Sequence, residues 1–189
     1  MIRAFAAISM PGSILDSIEQ TTARLRKLGL NARYTKRSAI HLTLKFLGDI
    51  EEVLVEDISD ALKKSAMYGT RFSLVVEGAG VFPNFRKPRI IWAGIKPQPM
   101  LTDLQRRVDN HLALLGFEPE KRAFRPHLTL ARLKGARKVA DLRSFVEREG
   151  ESLSLGSFQV DEIHLYQSLL RPEGAEYRRL VAHPLPDPD

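Results

Sequence analysis

His41-Leu42-Thr43-Leu44 recurs, residue for residue, as His127-Leu128-Thr129-Leu130. In a strand successive side chains face opposite ways, so His41 and Thr43 share one face while Leu42 and Leu44 take the other. The second copy divides in the same way. Each strand therefore offers an imidazole and a hydroxyl to one side while its leucines anchor in a core. A single His-x-Thr on a strand is an ordinary structural feature, because Thr is a good strand former. Two identical tetrapeptides gain meaning when other landmarks repeat in step with them.

They do. The offset is 86 residues from His41 to His127, 86 from Pro11 to Pro97, 87 from Gly29 to Gly116 and 86 from Phe72 to Phe158. Working outward from the first motif, residues 2–8 form a short apolar run closed by Pro11-Gly12, as a buried strand would be. Ile14, Ile18, Leu25 and Leu28 then recur at helical spacing, and Gly29 marks a stop. A strand over 40–47, a helix over about 51–67 and a strand over 72–76 complete the unit. The second pass predicts a strand over 89–95 and a helix over 101–115 ended by Gly116. A strand over 127–133, a helix over 139–149 and closing strands over 158–166 and 177–182 follow. This order predicts an α+β fold in which a duplicated strand-helix-strand-helix-strand unit forms two lobes about a pseudo-two-fold, their sheets lining a central cleft. The repeats span approximately 1–86 and 87–183 of a single bilobal domain, with a short tail over 184–189.

A two-fold of this kind brings the two His/Thr faces together in the cleft. Imidazole titrates near pH 6.5, so a pair in slightly different environments can hold one neutral base and one protonated acid near neutrality. Hydrolytic displacement at phosphorus needs those parts: a base for water and an acid for the departing oxygen. Thr43 and Thr129 can donate hydrogen bonds to non-bridging phosphate oxygens. A metal site is the other use of paired histidines. Two His fall short of the three protein ligands of a catalytic zinc centre, and His111, His164 and His183, read as helix, strand and tail, add no ligand-like spacing, so no metal and no cofactor are expected. There is no GxSxG elbow, GxxxxGK[ST] loop or GxGxxG fingerprint.

The 189 residues include 29 Lys and Arg against 23 Asp and Glu, a net charge of +6. Apolar residues make up 43% and charged residues 28%, the balance of a soluble globular chain. Residues 24–45 carry seven basic side chains and no acidic one, and residues 121–138 again carry seven and none. The positive charge thus gathers beside both histidines, where an anionic partner would arrive. The absence of cysteine excludes disulfides, thiolate metal sites and a Cys nucleophile, and makes a reducing cytoplasm the natural setting. No stretch approaches the ~20 apolar residues of a membrane span, so no membrane partner is expected. With the two-fold inside one chain, a monomer suffices.

At these residues the sequence resembles the two-histidine phosphoesterase superfamily, in which twin HxTx motifs define a bilobal fold. HLTLKFLGDI, FPNFRKPRIIWAGI, FRPHLTLARL and LYQSLLRPEGAEYRRL together resemble its branch of RNA 2',3'-cyclic phosphodiesterases, first described as 2'-5' RNA ligases. The resemblance implies hydrolysis of an RNA end bearing a 2',3'-cyclic phosphate to a 2'-phosphomonoester, without metal. It implies that His41 is the proton donor and His127 the proton acceptor, with Thr43 and Thr129 on the phosphate; the motifs themselves are too alike to divide those roles. Where relatives often carry Trp before the first motif, this chain has Tyr34. Phe46 is a candidate to stack on a base, and Arg125 and Arg132 are candidates for phosphate or a base face. Strict alternation puts Phe46 opposite His41 and Arg132 opposite His127, so each needs a strand end or a bulge to reach the cleft. Lys45 shares the His41 face by the same alternation and reads as an exposed side chain. The alternatives are a 2'-5' ligase or a phosphodiesterase for another cyclic or 2'-5' linked nucleotide, and a non-catalytic RNA-binding module.

Overall fold

The structure, a computed structural model, describes residues 1–135, 137–171 and 174–188. Its strands are β1 (Ile2–Ser9), β2 (Ala32–Tyr34), β3 (His41–Ile50), β4 (Phe72–Phe82), β5 (Ile90–Ile95), β6 (His127–Leu133), β7 (Ser154–Val160), β8 (Glu162–Arg171) and β9 (Gly174–Pro184). The helices are α1 (Gly12–Lys27), α2 (Val55–Met67), α3 (Pro99–Ala113) and α4 (Val139–Phe145). All strand pairings are antiparallel, in the order β7-β4-β5-β6-β3-β1-β8-β9, with the short β2 beside β6. The α+β class is as the sequence predicts. No helix among the described residues is long and apolar enough to cross a membrane.

The helices form for the reasons visible in the sequence. Ile14, Ile18 and Leu25 are buried along one side of α1, which starts after Pro11 and ends before Gly29 at φ 66°, a left-handed position that costs glycine little. In α3 the buried stripe is Leu101, Leu104, Val108 and Leu112, opened by Pro99 and by the Gln98 side chain accepting from the Met100 N–H. α1 packs against β7, whereas α3 packs against β3 and against α2, which also covers β8 and β9. Fully burying each such leucine or isoleucine is worth about 1.5–3 kcal/mol.

Some boundaries differ from the sequence-based expectation. Residues 158–166 are not one strand: β7 ends at Val160 and β8 begins at Glu162. Phe72 and Phe158, which share the 86-residue offset, lie on neighbouring strands, with Phe72 opposite Val160 and Leu74 opposite Phe158. The third strand continues to Ile50, because Gly48 turns through φ 74° without leaving the ladder. The helix expected over 139–149 narrows to α4 followed by a wider turn over Val146–Gly150. His183 lies in β9 rather than in a tail.

The sheet has two halves: β7-β4-β5-β6 comes from the middle of the chain, residues 72–160, whereas β3-β1-β8-β9 joins strands from its two ends. They meet at a single residue pair, Leu42 opposite Leu128. Both leucines are fully buried. In the first half-sheet Gly80 stands opposite Trp92, and a Cβ there would overlap the indole at Trp92 Cζ2. Gly80→Ala is therefore expected to destabilise the protein by about 1–3 kcal/mol, as overpacking does, measured by urea denaturation. An unchanged midpoint would mean that Trp92 moves aside freely.

Candidate active site

The seam between the half-sheets builds the site. Antiparallel pairing centred on Leu42 and Leu128 brings His41 alongside Thr129 and Thr43 alongside His127, all on the face away from the leucines. Two imidazoles and two hydroxyls thus form a checkerboard across β3 and β6. They line a cavity of about 460 Å³ together with Phe46 and Arg132.

Phe46 and Arg132 reach that face through matched bulges. Thr43 pairs with Ala7 and Lys45 with Ala6, which leaves Leu44 as the extra residue. Thr129 pairs with Trp92 and Ala131 with Ile91, which leaves Leu130 as the extra residue. Leu44 and Lys45 are consecutively buried, as are Leu130 and Ala131, so the alternation slips by one and the next side chain turns toward the cleft. Phe46 is 71% exposed there. The slip also corrects the expectation for Lys45. Its side chain is buried, ion-paired with Asp109 of α3 and donating to the Glu118 carbonyl at 2.7 Å. Arg125 does not line the cavity: the residue is exposed and its carbonyl is used by His127.

Both histidines are held alike. His41 Nδ1 lies 3.0 Å from the Ala39 carbonyl and His127 Nδ1 2.8 Å from the Arg125 carbonyl. A carbonyl only accepts, so each Nδ1 carries the proton and each Nε2 is left to work in the cavity. Their surroundings differ. Tyr177 meets His41 edge-on at 4.9 Å and Phe82 meets His127 edge-on at 4.9 Å, but His41 also packs on Phe5 at 4.6 Å. Burial, with smaller contributions from His127 and Arg132, lowers the His41 pKa to about 4, against the pull of the Ala39 carbonyl. His41 is therefore neutral at pH 7.

Arg33, Tyr34, Lys36 and Tyr177 complete much of the wall. The Tyr34 ring carries the Arg26 guanidinium at 4.2 Å, and its hydroxyl is buried without a hydrogen-bond partner among the described residues; burial raises its pKa. Tyr177, Phe82 and Phe5 were not singled out from the sequence, since each becomes a neighbour of a histidine only through strand pairing. A second groove of about 580 Å³ between α1 and β7, lined by Ser17, Thr21, Arg24 and Lys27 among others, contains no histidine. Among the described residues no three His, Asp or Glu side chains come together as a metal site would require.

Residues 14–171 match the model of the 2'-5' RNA ligase superfamily. The chain is 32% identical over 176 residues to a Methanothermobacter thermautotrophicus protein named RNA 2',3'-cyclic phosphodiesterase, covering 93% of this chain and 95% of that one. It is 34% identical over 166 residues to an Aeropyrum pernix protein of the same name, covering 87% and 89%. Among solved structures, E. coli LigT complexed with 3'-AMP is 26% identical with a TM-score of 0.79, over 97% of this chain and 98% of that one. A Thermus thermophilus protein shares the fold at 23% identity and a TM-score of 0.83, over 98% and 99%.

Proposed function

The chain belongs to the 2'-5' RNA ligase superfamily, and from that premise and the paired imidazoles we propose that it opens RNA 2',3'-cyclic phosphate ends by two-histidine acid–base catalysis without metal. Cyclic phosphodiesterase activity is the common function of its named relatives. The observation that carries the mechanism is the seam itself, with two histidines and two threonines lining one cavity.

Water attacks phosphorus as the bond from phosphorus to the 3' oxygen breaks. His127 Nε2 takes the proton from water and His41 Nε2–H gives one to the departing oxygen, leaving a 2'-phosphomonoester and a 3'-hydroxyl. Thr43 and Thr129 donate to the non-bridging oxygens, where charge builds in the transition state. Phe46 offers a ring for a base and Arg132 a charge for phosphate, while Arg125, outside the cavity, can meet the strand beyond the scissile group. The test is turnover of an oligonucleotide ending in 2',3'-cyclic phosphate, with the product read by phosphorus NMR. Turnover unaffected by EDTA supports the reading; EDTA-abolished turnover restored by added metal overturns it.

A donor must be protonated, and His41 in the free protein is not. Binding of the anionic phosphate must therefore be linked to uptake of a proton by His41, whose pKa rises from about 4. The sign follows: an anion that binds the protonated form better binds more tightly as pH falls. Sulfate affinity is expected to rise as the pH is lowered from about 7 to 5, and the rise should shrink in His41→Gln. Calorimetry giving the same pH dependence in both proteins would remove His41 from the donor role.

A further inference from the structure

His164 on β8 takes no part in the reaction above, yet it is 1% exposed and both ring nitrogens are engaged. Nε2 lies 2.8 Å from Glu162 Oε1, Nδ1 lies 2.8 Å from Ser9 Oγ, and Ser9 Oγ lies 2.6 Å from the Tyr166 hydroxyl. A carboxylate only accepts, so His164 Nε2 donates to Glu162. The neutral ring then accepts at Nδ1 from Ser9, and Ser9 accepts from Tyr166. Every proton of the chain points toward Glu162.

The other end of this chain reaches His41 through aromatic rings. Tyr166 stacks on Phe5 at 5.4 Å and 19°, and Phe5 packs on the His41 imidazole at 4.6 Å. Ser9 is also the cross-strand partner of His41. His127 lacks such a backing among the described residues, since the one ring beside it is Phe82. We propose that Tyr166, tethered through Ser9 to His164, is a positioning residue for His41: its anchored ring presses Phe5 against the imidazole and keeps water from it. This rests on His41 being one of the acid–base pair. Besides Tyr166 itself, the titratable and charged groups facing His41 are His127, Arg132 and Tyr177, and those around His164 are Glu162, Arg179 and His183. The tests leave all of these but the Tyr166 hydroxyl in place.

In Tyr166→Phe the ring remains and the tether is lost. The expected result is a kcat about tenfold lower with KM within about twofold, the pattern of a misplaced reacting group. Imidazole NMR of the substrate-free protein should show the His41 midpoint moving up from about 4 toward the ordinary value of about 6.5 as water enters. Ser9→Ala should do less, because the Tyr166 hydroxyl is already 3.4 Å from His164 Nδ1 and can close the gap. An unchanged midpoint and kcat in Tyr166→Phe overturns the proposal, even if the melting temperature falls. So does a larger effect from Ser9→Ala. The titration needs no substrate, so it judges the tether separately from the proposed reaction, whose own test is turnover by the unmodified protein and its dependence on EDTA.

Discussion

His127→Ala is expected to lower turnover of a 2',3'-cyclic phosphate end by about 10³-fold at pH 7, with KM changing by less than about fivefold. A positioned acid or base contributes about 10²–10⁴ in rate, and the checkerboard leaves the threonines to bind phosphate whether or not the imidazole is present. His41→Ala should lose a similar factor. Because the two groups act in one displacement, the double variant should be within about tenfold of either single one rather than showing the product of both losses. Single-turnover kinetics with the phosphomonoester resolved from the cyclic end provides the measurement. Activity within about tenfold of the unmodified protein in either single variant would mean that the paired imidazoles do not carry this chemistry.

Lys45→Met carries the second large expectation, on stability. The ammonium is buried beneath the first motif and satisfied by Asp109 and the Glu118 carbonyl. Methionine keeps much of the stem and removes the charge, leaving Asp109 with its remaining contact to the Glu120 N–H. Breaking one partner of a buried pair costs about 3–5 kcal/mol, because the other charge stays buried. Changing both, in Lys45→Met with Asp109→Leu, should recover most of that loss. Urea denaturation of the three variants reads the cycle. A single variant within about 1 kcal/mol of the unmodified protein would show that water reaches Asp109 at little cost.

The motif pair was legible because it needs only the two-residue period of a strand, and α1 and α3 were legible because their leucines and isoleucines keep helical spacing. The same period misplaced Lys45. Nothing in Leu-Lys-Phe or Leu-Ala-Arg announces an extra residue, since a bulge is a property of two strands in register. The sequence allowed for a bulge at Phe46 and Arg132, and the register supplies both. Asp109, which makes the burial of Lys45 possible, comes from α3 and has no local signal in β3. Tyr177 and Phe5 are hidden for a related reason: strands far apart in sequence carry them to His41. Arg125, basic and next to the motif, gives the site its carbonyl through His127 while its side chain stays outside the cavity.

The lone Leu42–Leu128 pairing has a consequence for how the molecule fails. Each imidazole hangs from a different half-sheet, and the half that carries His41 closes only when strands from the two ends of the chain pair. Under the two-histidine mechanism proposed above, neither half can carry out the reaction alone, because a partly assembled molecule would hold one imidazole without the other. Turnover would then be an all-or-none gauge of assembly, lost as soon as the seam parts even while most of the sheet hydrogen bonds survive.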